Sequence, residues 1–311
     1  MAKICKMRFH SFGEVGVLRS EQIEQSQPDA GQVLVAVRAA SVNPVDYKIR
    51  LGKYPAVQQD RLPYTPGRDV SGVVEKCGAQ ANKFEVGEEV FGIVPVYGGG
   101  YAEQAVLDER ALAAKPAGID HIHAAAIPLA AQTAWQGLFR HGRLKHGQTV
   151  LIHGGSGGVG HFAIQFARVF GARVLTTVSS DNVAFAHSLG ADVVIDYKKQ
   201  RFEAHASNLD MVFDLIDGDT RERSWQLLKK GGMLVSTLTE PAQDKARAFG
   251  VHATRYTVEA DGAELTEIAR LVAAGKVKPH IQSTFPLQAA ADAMASVEQG
   301  HSVGKVVLTV G

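Results

Sequence analysis

The glycine-rich segment HGGSGGVG, residues 153–160, carries the residue types that point most directly to chemistry. Gly155, Gly157 and Gly160 fit the pattern G-x-G-x-x-G, in which glycines let the backbone approach a pyrophosphate at the amino end of a helix. The segment follows the apolar run VLIHG and opens the helical stretch HFAIQFARVFG, as a dinucleotide site requires. The alternative is a tight strand-to-helix turn that holds no ligand. The loop residues predicted to bind the cofactor are Gly155, Ser156, Gly157, Gly158, Val159 and Gly160.

The same segment also fits G-x-S-x-G, the nucleophile elbow of α/β-hydrolases, with Ser156 as the nucleophile. Asp214 and then His252 or His280 follow in the chain order that such a triad requires. However, the chain has 12 histidines, so some such order is easy to find. An elbow also expects strands of its sheet before the serine, whereas the regular alternation of strands and helices begins at the motif. A hydrolase is therefore the weaker interpretation.

The second apolar run of this region ends in Val178-Ser179-Ser180, and this ending bears on the choice of nicotinamide cofactor. NAD-binding proteins usually place Asp or Glu there, because a carboxylate accepts from the ribose hydroxyls and repels a 2′-phosphate. The hydroxyls of Ser179 and Ser180 favour NADP(H) instead. Asp181 follows, and this loop has no Lys or Arg. The cations that could reach a phosphate come after the third strand, at Lys198, Lys199 and Arg201.

The composition argues against several other classes of function. A net charge of +1 gives no global field that favours nucleic acid or an anionic membrane. Cys5 and Cys77 are too few for a disulfide framework or a four-thiolate zinc site. His121 and His123 form a closely spaced pair without a nearby cysteine, so we interpret them as surface or linker residues. We expect no metal, no nucleic-acid or membrane partner and, because the first residues lack the apolar core of a signal peptide, a cytoplasmic protein.

The elements that must position these residues fall into two regions. Up to about residue 120, short β-type runs such as 31–42, 71–78 and 88–94 are separated by Pro, Gly, Asn and Asp. From about Thr149, short apolar runs alternate with helical stretches, which indicates a parallel sheet with helices on both faces.

Within the second region we predict a helix over residues 221–230 and a candidate sixth strand at 251–258. The final run, VGKVVLTVG, is a strand that no helical stretch follows, so we expect it to rejoin the sheet of the first region. The predicted fold is α/β, with a first domain at residues 1–124 completed by 260–311 and a dinucleotide-binding domain at 125–259.

The whole chain resembles the medium-chain dehydrogenase/reductase superfamily. The resemblance implies a GroES-like β-barrel domain, a Rossmann domain with a doubly wound parallel sheet that binds NADP, and a homodimer. It spans nearly all 311 residues. The landmarks that carry it, in order, are RAASVNPVDYKIRLG, PGRDVSGVV, VGEEVFG, GGGYAEQAV, HGGSGGVG, SLGADVVIDY and the terminal GKVVL.

Two departures from the zinc alcohol dehydrogenases place the resemblance in one branch. Those enzymes read His-Glu at the position of Arg68-Asp69 and carry a cysteine ligand in the segment corresponding to SVNPVDYK. Arginine cannot coordinate zinc, because its guanidinium stays protonated. The chain therefore resembles the zinc-free quinone oxidoreductases and enone (alkenal) reductases, and we expect Arg68 to pair with Asp69 or another acid.

The resemblance also implies the substrate-side residues, which lie in Asn43-Pro44-Val45-Asp46-Tyr47-Lys48. Quinone oxidoreductases commonly read N-P-x-D-T-Y here, whereas this chain has tyrosine one position earlier and Lys48 after it, which is similar to the enone reductases. The implied catalytic residues are Asn43, Lys48 and Tyr47, and Asp46 and Tyr64 are expected to line the substrate pocket. The structural alternative is that Asn43 and Asp46 cap a turn and a short helix.

On the cofactor side, the resemblance implies Thr133 and Leu238 beside the nicotinamide and Ser179, Ser180 and Tyr197 at the 2′-phosphate. The implied activity is NADPH-dependent hydride transfer to a quinone or an α,β-unsaturated carbonyl, both small-molecule substrates. Two alternatives stay open: an enoyl-thioester reductase on the same scaffold, and a non-catalytic NADPH-binding sensor.

Overall fold

The computed structural model of the protein describes residues 3–300 and 302–311, and the described chain divides into two compact units. The first unit runs up to Leu129 and also contains Ala260–Gly275 and Pro279–Gly311. The second unit consists of Ala130–Glu259 and Lys276–Lys278.

The first unit is built on a mostly antiparallel sheet. Its strands are β1 (Lys3–Arg8), β2 (Arg19–Glu24), β3 (Gln32–Val42), β4 (Asp69–Cys77), β5 (Glu89–Ile93), β6 (Gln104–Asp108), β7 (Leu112–Ala114), β14 (Ile281–Pro286) and β15 (Lys305–Thr309). Its helices are α1 (Pro44–Arg50), α2 (His121–Ala125), α8 (Gly262–Ala273) and α9 (Ala290–Glu298). The sheet order is β14-β15-β3-β4-β5-β7, with β6 also paired to β3, while β1 pairs with β2. The GroES-like prediction is confirmed.

The long strand β3 organises this sheet. It pairs with β4, β6 and β15, and its Val and Ala side chains lie in the apolar core of the unit. Because β15 pairs antiparallel with β3, from Val306 opposite Val42 to Thr309 opposite Ala39, the predicted return of the last strand to the first domain is confirmed. The two ends of the sequence therefore share one core.

The second unit is a parallel sheet with the order β10-β9-β8-β11-β12-β13, the doubly wound arrangement of a Rossmann fold. Its strands are β8 (Thr149–His153), β9 (Arg173–Val178), β10 (Val193–Asp196), β11 (Leu209–Asp214), β12 (Leu228–Ser236) and β13 (His252–Arg255). Its helices are α4 (Gly160–Val169), α5 (Val183–Ser188), α6 (Gly218–Ser224) and α7 (Gln243–Phe249), while α3 (Pro128–Trp135) spans the point where the chain enters this unit. The predicted parallel sheet and its sixth strand are confirmed.

The predicted helix over residues 221–230 is wrong at both ends. The helix α6 covers Gly218–Ser224, a short 3₁₀ turn follows, and β12 begins at Leu228. The charged run before Ser224 suits a helix, but Trp225 and Leu227 are buried and turn the chain into the sheet, where Leu228 pairs with Leu209. Apolar burial thus overrides local helix propensity.

Within the part of the chain that the structure describes, no helix combines the length and apolar character needed to cross a membrane.

Candidate functional site

The first unit places the predicted catalytic residues on α1. Asn43 is the N-cap residue, and Pro44 follows at the first helical position, where its missing N–H is not needed. The backbone N–H of Asn43 donates to the Asp46 carboxylate at 2.8 Å, so a side chain three residues along closes the start of the helix. The local sequence therefore fixes α1, and with it the positions of Tyr47 and Lys48.

The Asp46 carboxylate is fully buried and ties α1 to neighbouring loops. Besides Asn43, it accepts hydrogen bonds from the Tyr101 hydroxyl at 2.9 Å and from the Gly67 N–H at 3.2 Å. Burial raises the pKa of Asp46 to about 6, although the hydrogen bonds from Asn43 and Tyr101 counteract this rise. The expectation that Asp46 lines a pocket needs correction, because a carboxylate without exposed surface holds the loops in place instead.

Both the nitrogen and the oxygen of the Asn43 side-chain amide form hydrogen bonds. Its Nδ2 donates to Asp69 at 2.8 Å, and its Oδ1 accepts from the Lys305 ammonium at 2.6 Å. Asp69 accepts further hydrogen bonds from the Ser41 hydroxyl and the Leu129 N–H, both at 2.6 Å, and lies 3.6 Å from Lys305. These contacts fix the amide orientation of Asn43, since only its oxygen can accept from Lys305.

Lys305 is the centre of positive charge in this cluster, and it is 3% exposed. Burial lowers the pKa of its ammonium, while the nearby carboxylates of Asp69 and Asp46 raise it. Neither Lys305 nor Tyr101 was singled out by the motifs, although both lie inside matching landmarks, GKVVL and GGGYAEQAV. We call Ser41, Asn43, Asp46, Asp69, Tyr101 and Lys305 the buried network.

Arg68 does not take the partner expected from the sequence. Its Nε donates to the carbonyl of Val94 at 2.7 Å, and its own carbonyl accepts from the Val94 N–H at 2.8 Å. The neighbouring Asp69 begins β4, where successive side chains point to opposite faces, and its ion pair is with Lys305. The expectation that Arg68 pairs with Asp69 or another acid is therefore wrong for Asp69, and among the described residues Arg68 forms no ion pair with another acid.

The remaining predicted residues of the first unit differ in exposure. The Tyr47 ring packs against the apolar core, and burial, reinforced by Glu298, raises its pKa. Lys48 is partly exposed on α1. Tyr64 is buried, its ring lies 5.5 Å from that of Phe9, and its hydroxyl donates to the Val96 carbonyl. Tyr47 and Lys48 are thus both partly accessible, whereas Tyr64 is not.

The sequence predicts His121 and His123 to be surface or linker residues. Both belong to the start of α2, so they are not a linker, while the His123 side chain is 45% exposed and does lie at the surface. Asp120 is the N-cap residue and accepts from the His123 N–H at 2.8 Å. The His121 ring lies between Ser71, 2.8 Å from Nδ1, and Glu89, 3.1 Å from Nε2. Partial burial lowers the pKa of His121, which fits a structural role against the sheet.

The glycine loop of the second unit has the geometry that its pattern predicts. A Cβ on Gly155 would lie 2.0 Å from Thr176 Oγ1, and a Cβ on Gly160 would lie 2.2 Å from the Gly154 carbonyl oxygen. Gly154 itself has a φ of +74°, which favours glycine. By contrast, the nearest atom to a Cβ on Gly157 is 3.4 Å away, so the loop backbone is accessible there. The loop therefore fits a pyrophosphate at the start of α4.

The other loop residues surround this helix start. Val159 is the N-cap residue of α4, and Gly158 precedes it in the turn. The Ser156 hydroxyl accepts from Asn182 at 3.2 Å, and the same amide donates to Ser179 at 3.0 Å. Ser156 therefore contacts an amide rather than a histidine, contrary to the hydrolase interpretation. Asn182 was missed because a contact with a loop far away in sequence leaves no local pattern.

The residues that follow β9 contact a carboxylate that the sequence motifs did not indicate. The Ser180 hydroxyl donates to Asp196 at 2.6 Å, and Lys199 lies 3.4 Å from the same carboxylate. These contacts lower the pKa of Asp196, with the hydrogen bond from Ser180 as the largest cause. Tyr197 follows and is half exposed. The strand ends thus carry one neutralised carboxylate together with hydroxyl groups.

The cations near this edge are not equivalent. Lys199 pairs with Asp196, and Arg201 lies 3.2 Å from Glu203. Lys198 is exposed and, among the described residues, has no ion-pair partner. Lys198 is therefore the cation with the most freedom to meet a phosphate. We call Ser179, Ser180, Asn182, Asp196 and Lys198 the serine edge.

The predicted nicotinamide-side residues are held by the backbone of the second unit. The Thr133 carbonyl accepts from the buried hydroxyl of Tyr256, and a π-helical turn, Gln136–His141, follows α3. Such turns often occur at functional sites. Leu238 follows β12, where its N–H donates to the Ser236 hydroxyl at 3.3 Å.

Known proteins match both units of the chain. Residues 29–117 match the model of the alcohol dehydrogenase GroES-like domain, and residues 189–308 match that of the zinc-binding dehydrogenases. A 2-methylene-furan-3-one reductase of Solanum lycopersicum is 36% identical, over 96% of this chain and 77% of its own length. The chloroplastic NADPH-dependent alkenal/one oxidoreductase of Arabidopsis thaliana is also 36% identical, over 96% of this chain and 78% of its own length.

A solved structure gives the same result. The quinone oxidoreductase from Coxiella burnetii has a TM-score of 0.94 and 34% identity, and the match covers 99% of this chain and 100% of that one. The chain belongs to the medium-chain dehydrogenase/reductase superfamily. Within this superfamily it falls with the quinone oxidoreductases and alkenal/one oxidoreductases, as its landmarks predicted.

The zinc in the name of one matched model does not fit the donors of this medium-chain dehydrogenase/reductase chain. At the position of the histidine ligand, the Arg68 guanidinium has no lone pair to offer and is bonded to Val94. Within residues 3–300 and 302–311, no three His, Cys, Asp or Glu side chains form a group that could hold a metal ion.

Proposed function

We propose that this protein is an NADPH-dependent reductase that transfers hydride to a quinone or to the double bond of an α,β-unsaturated carbonyl. The observation that carries the proposal concerns the segment where zinc-binding relatives hold their metal. In this chain its side chains are bonded to other groups of the protein. Arg68 is committed to Val94, and Asn43 and Asp69 bond to each other and to Lys305. Without a Lewis acid to acidify an alcohol, an already activated acceptor is the better substrate.

Two names among the relatives support this substrate class. The Arabidopsis protein is named for NADPH and for alkenals and alkenones, and the Coxiella protein is named for quinones. Both kinds of acceptor are flat and conjugated, and both collect negative charge on oxygen when hydride is added.

NADPH supplies the hydride when it is bound. The second unit would hold its pyrophosphate with the backbone from Gly155 to Gly160, because this backbone is accessible at Gly157 and leads into the start of α4. Ser179 and Ser180 would contact the ribose and phosphate edge, with the Ser179 hydroxyl donating to it, and Lys198 would pair with the 2′-phosphate. Thr133 and Leu238 are proposed for the nicotinamide side.

On the substrate side, we assign different roles to the residues of α1. Asn43 is a positioning residue, since both ends of its amide are already bonded within the buried network. Lys48 is the proposed donor to the substrate oxygen, because an ammonium on a partly exposed helix can reach a developing negative charge. Tyr47 and Tyr64 are proposed as apolar walls for a flat acceptor.

The test is a screen of NADPH and NADH oxidation with a quinone, an enone, an enal and an enoyl thioester. We expect consumption of NADPH with the quinone or enone, no loss of activity with a chelator, and a fall of about 100-fold in kcat for Lys48→Met. The matched control is Lys53→Met, an exposed lysine just after α1, which should keep its kcat.

The outcomes of this screen separate the alternatives. Preference for the enoyl thioester would favour the thioester reductase, and tight NADPH binding without turnover of any acceptor would favour the sensor. Inactivation by the chelator, or oxidation of a simple alcohol with NAD, contradicts the proposal. An unchanged kcat in Lys48→Met removes only the proton-donor role.

We further propose that the protein acts in the cytoplasm as a homodimer. The free thiols Cys5 and Cys77 suit a reducing compartment. The strand β13 stands at the edge of its sheet order, and such an edge offers N–H and C=O groups to another chain. Light scattering during size exclusion should give twice the mass of the chain, and a monomer would refute the dimer.

A further inference from the structure

The first unit has a surface cavity of about 350 Å³ whose lining is strongly basic. Lys6 and Arg8 from β1 line it, together with Asp60 and Arg61 from the 3₁₀ turn Gln59–Arg61. Asn43, Tyr47 and Lys48 are not among the lining residues that the structure describes. The volume is within the range of small-molecule sites.

Lys6 is the unusual member of this lining because the residue is only 8% exposed and its ammonium makes no hydrogen bond or ion pair among the described residues. The ammonium is not among the fully enclosed side-chain atoms, so it remains accessible from the cavity. Glu21 stands opposite Lys6 in the β1–β2 register, but its carboxylate is bonded to Arg8 at 3.3 Å and to His10 at 2.6 Å. Burial, and then the charge of Arg8, lower the pKa of Lys6. A largely buried ammonium that has no carboxylate partner is stabilised when an anion joins it.

Arg61 supplies a second group with open bonding capacity. Its guanidinium lies 4.7 Å from the ring centroid of Tyr97, in a cation–π contact. The nearest carboxylate oxygen, from Asp60, is 3.9 Å from its Nε and therefore beyond hydrogen-bond distance. Arg61 thus presents its N–H fork beside an exposed aromatic face, a geometry suited to phosphate oxygens.

Arg8 adds charge, and its Nε is buried without a hydrogen-bond partner among the described residues. Arg8 donates to Glu21 at 3.3 Å and to the Pro63 carbonyl at 3.2 Å, which holds it against the cavity wall. The lining cations Lys6, Arg8 and Arg61 outnumber the single lining carboxylate, Asp60. This excess matches a dianion better than a monoanion.

We propose that this cavity binds a small-molecule phosphate monoester, with the phosphate on Lys6 and Arg61 and the organic part against Tyr97. The site does not depend on the proposed reductase activity, because it uses none of the residues assigned to hydride transfer except the buried wall residue Tyr64.

The test is calorimetric titration with phenyl phosphate at constant ionic strength, with NADP⁺ present in excess so that a cofactor phosphate site is filled. We expect saturable binding to the wild-type protein, and binding at least about tenfold weaker in Lys6→Met and in Arg61→Gln. The matched control is Lys3→Met, since Lys3 is exposed and lies on the opposite face of the same strand.

Each result decides the proposal. Absence of saturable binding to the wild type overturns it, as does equal affinity of Lys6→Met and Lys3→Met. Arg61 is exposed, so Arg61→Gln reports on the site even if Lys6→Met fails to fold. Benzoate is the comparison ligand, and binding of benzoate as tight as that of phenyl phosphate would overturn the assignment to a phosphate.

Discussion

The buried network of the first unit and the serine edge of the second unit use the same kinds of groups in opposite ways. In the buried network, Asn43, Asp69 and Lys305 are at most 4% exposed and bond to one another. In the serine edge, Ser179, Ser180 and Asn182 are half-buried and Lys198 is exposed. The first arrangement has little bonding capacity left for a ligand, whereas the second has capacity on its open side.

This difference separates positioning from recognition. A network with its donors and acceptors matched inside the protein is rigid, and removing one member leaves a buried charge or dipole without a partner. An exposed edge replaces lost hydrogen bonds with water, so changes there alter ligand affinity more than stability. The comparison predicts large stability effects and small specificity effects in the first region, and the reverse in the second.

The largest effect is expected for Asp69→Ala. The substitution leaves the Lys305 ammonium buried without its carboxylate, and it also removes the acceptor for Ser41, Asn43 and Leu129. We expect a loss of about 3–5 kcal/mol in the free energy of unfolding, measured by urea denaturation.

The matched control for this prediction is Glu267→Ala on α8. Glu267 is half exposed and pairs with Arg270 three residues along the same helix. Its loss should change the free energy of unfolding by less than about 1 kcal/mol. Similar losses in the two variants would contradict the view that the buried network holds the unit together.

The next effect is a pH dependence that comes from Asp46. Its folded-state pKa is about 6, above the ordinary value of 3.8, so the folded protein binds this proton more tightly than the unfolded chain does. The contribution of Asp46 to stability therefore increases as pH falls through 6, by at most about 1.4 kcal/mol for each pH unit.

The measurement compares the wild-type protein with Asp46→Asn at about pH 7 and about pH 5. Other groups titrate in both proteins, so only the difference between their unfolding free energies reports on Asp46. This difference should shift in favour of the wild type at the lower pH. A difference independent of pH would show that Asp46 has an ordinary pKa and is not enclosed as described.

The serine edge is expected to change cofactor choice instead. Lys198→Gln removes the unpaired cation of this edge, so NADPH should bind about tenfold more weakly while NADH binding stays the same. Fluorescence titration with both cofactors measures this. Lys230→Gln, an exposed lysine of the same unit, is the control. Equal losses for NADPH and NADH would remove Lys198 from recognition of the 2′-phosphate.

The smallest effect is expected for Asn182→Ala. Its amide bridges Ser156 and Ser179 through hydrogen bonds of 3.2 Å and 3.0 Å that water can partly replace. The free energy of unfolding should fall by less than about 1 kcal/mol, and the dissociation constant of NADPH should rise about threefold. A loss of stability as large as that of Asp69→Ala would erase the contrast between the two regions.

Local patterns in the sequence predicted the parts of the fold whose causes are local. The glycines at 155 and 160 are needed because of close backbone approach within one turn, and that need is visible as a motif. The alternation of apolar runs and helical stretches is also a local pattern, and it predicted the parallel sheet. The helix end at Ser224 was missed because burial of Trp225, a tertiary effect, decides it.

The candidate site was predicted less completely, because its decisive contacts join distant segments. Asn43 and Lys305 meet across 262 positions of sequence, and the partner of Asp69 follows from strand pairing rather than from its neighbour Arg68. Residues such as Asn43 were found, but whether an amide faces a substrate or a buried ammonium depends on such pairings. The contacts that bring Lys305, Tyr101 and Asn182 into the candidate site can therefore be recognised only in the folded structure.

Hydride transfer from NADPH to an activated acceptor can be followed directly with an isotope. The protein is incubated with an enone and NADPH deuterated at the transferable position, and the product is analysed by mass spectrometry and NMR. We expect one deuterium on the β-carbon of the saturated ketone for each NADPH consumed. NADPH consumption with deuterium absent from that carbon, or the absence of consumption with both the enone and a quinone, would contradict the proposed hydride transfer.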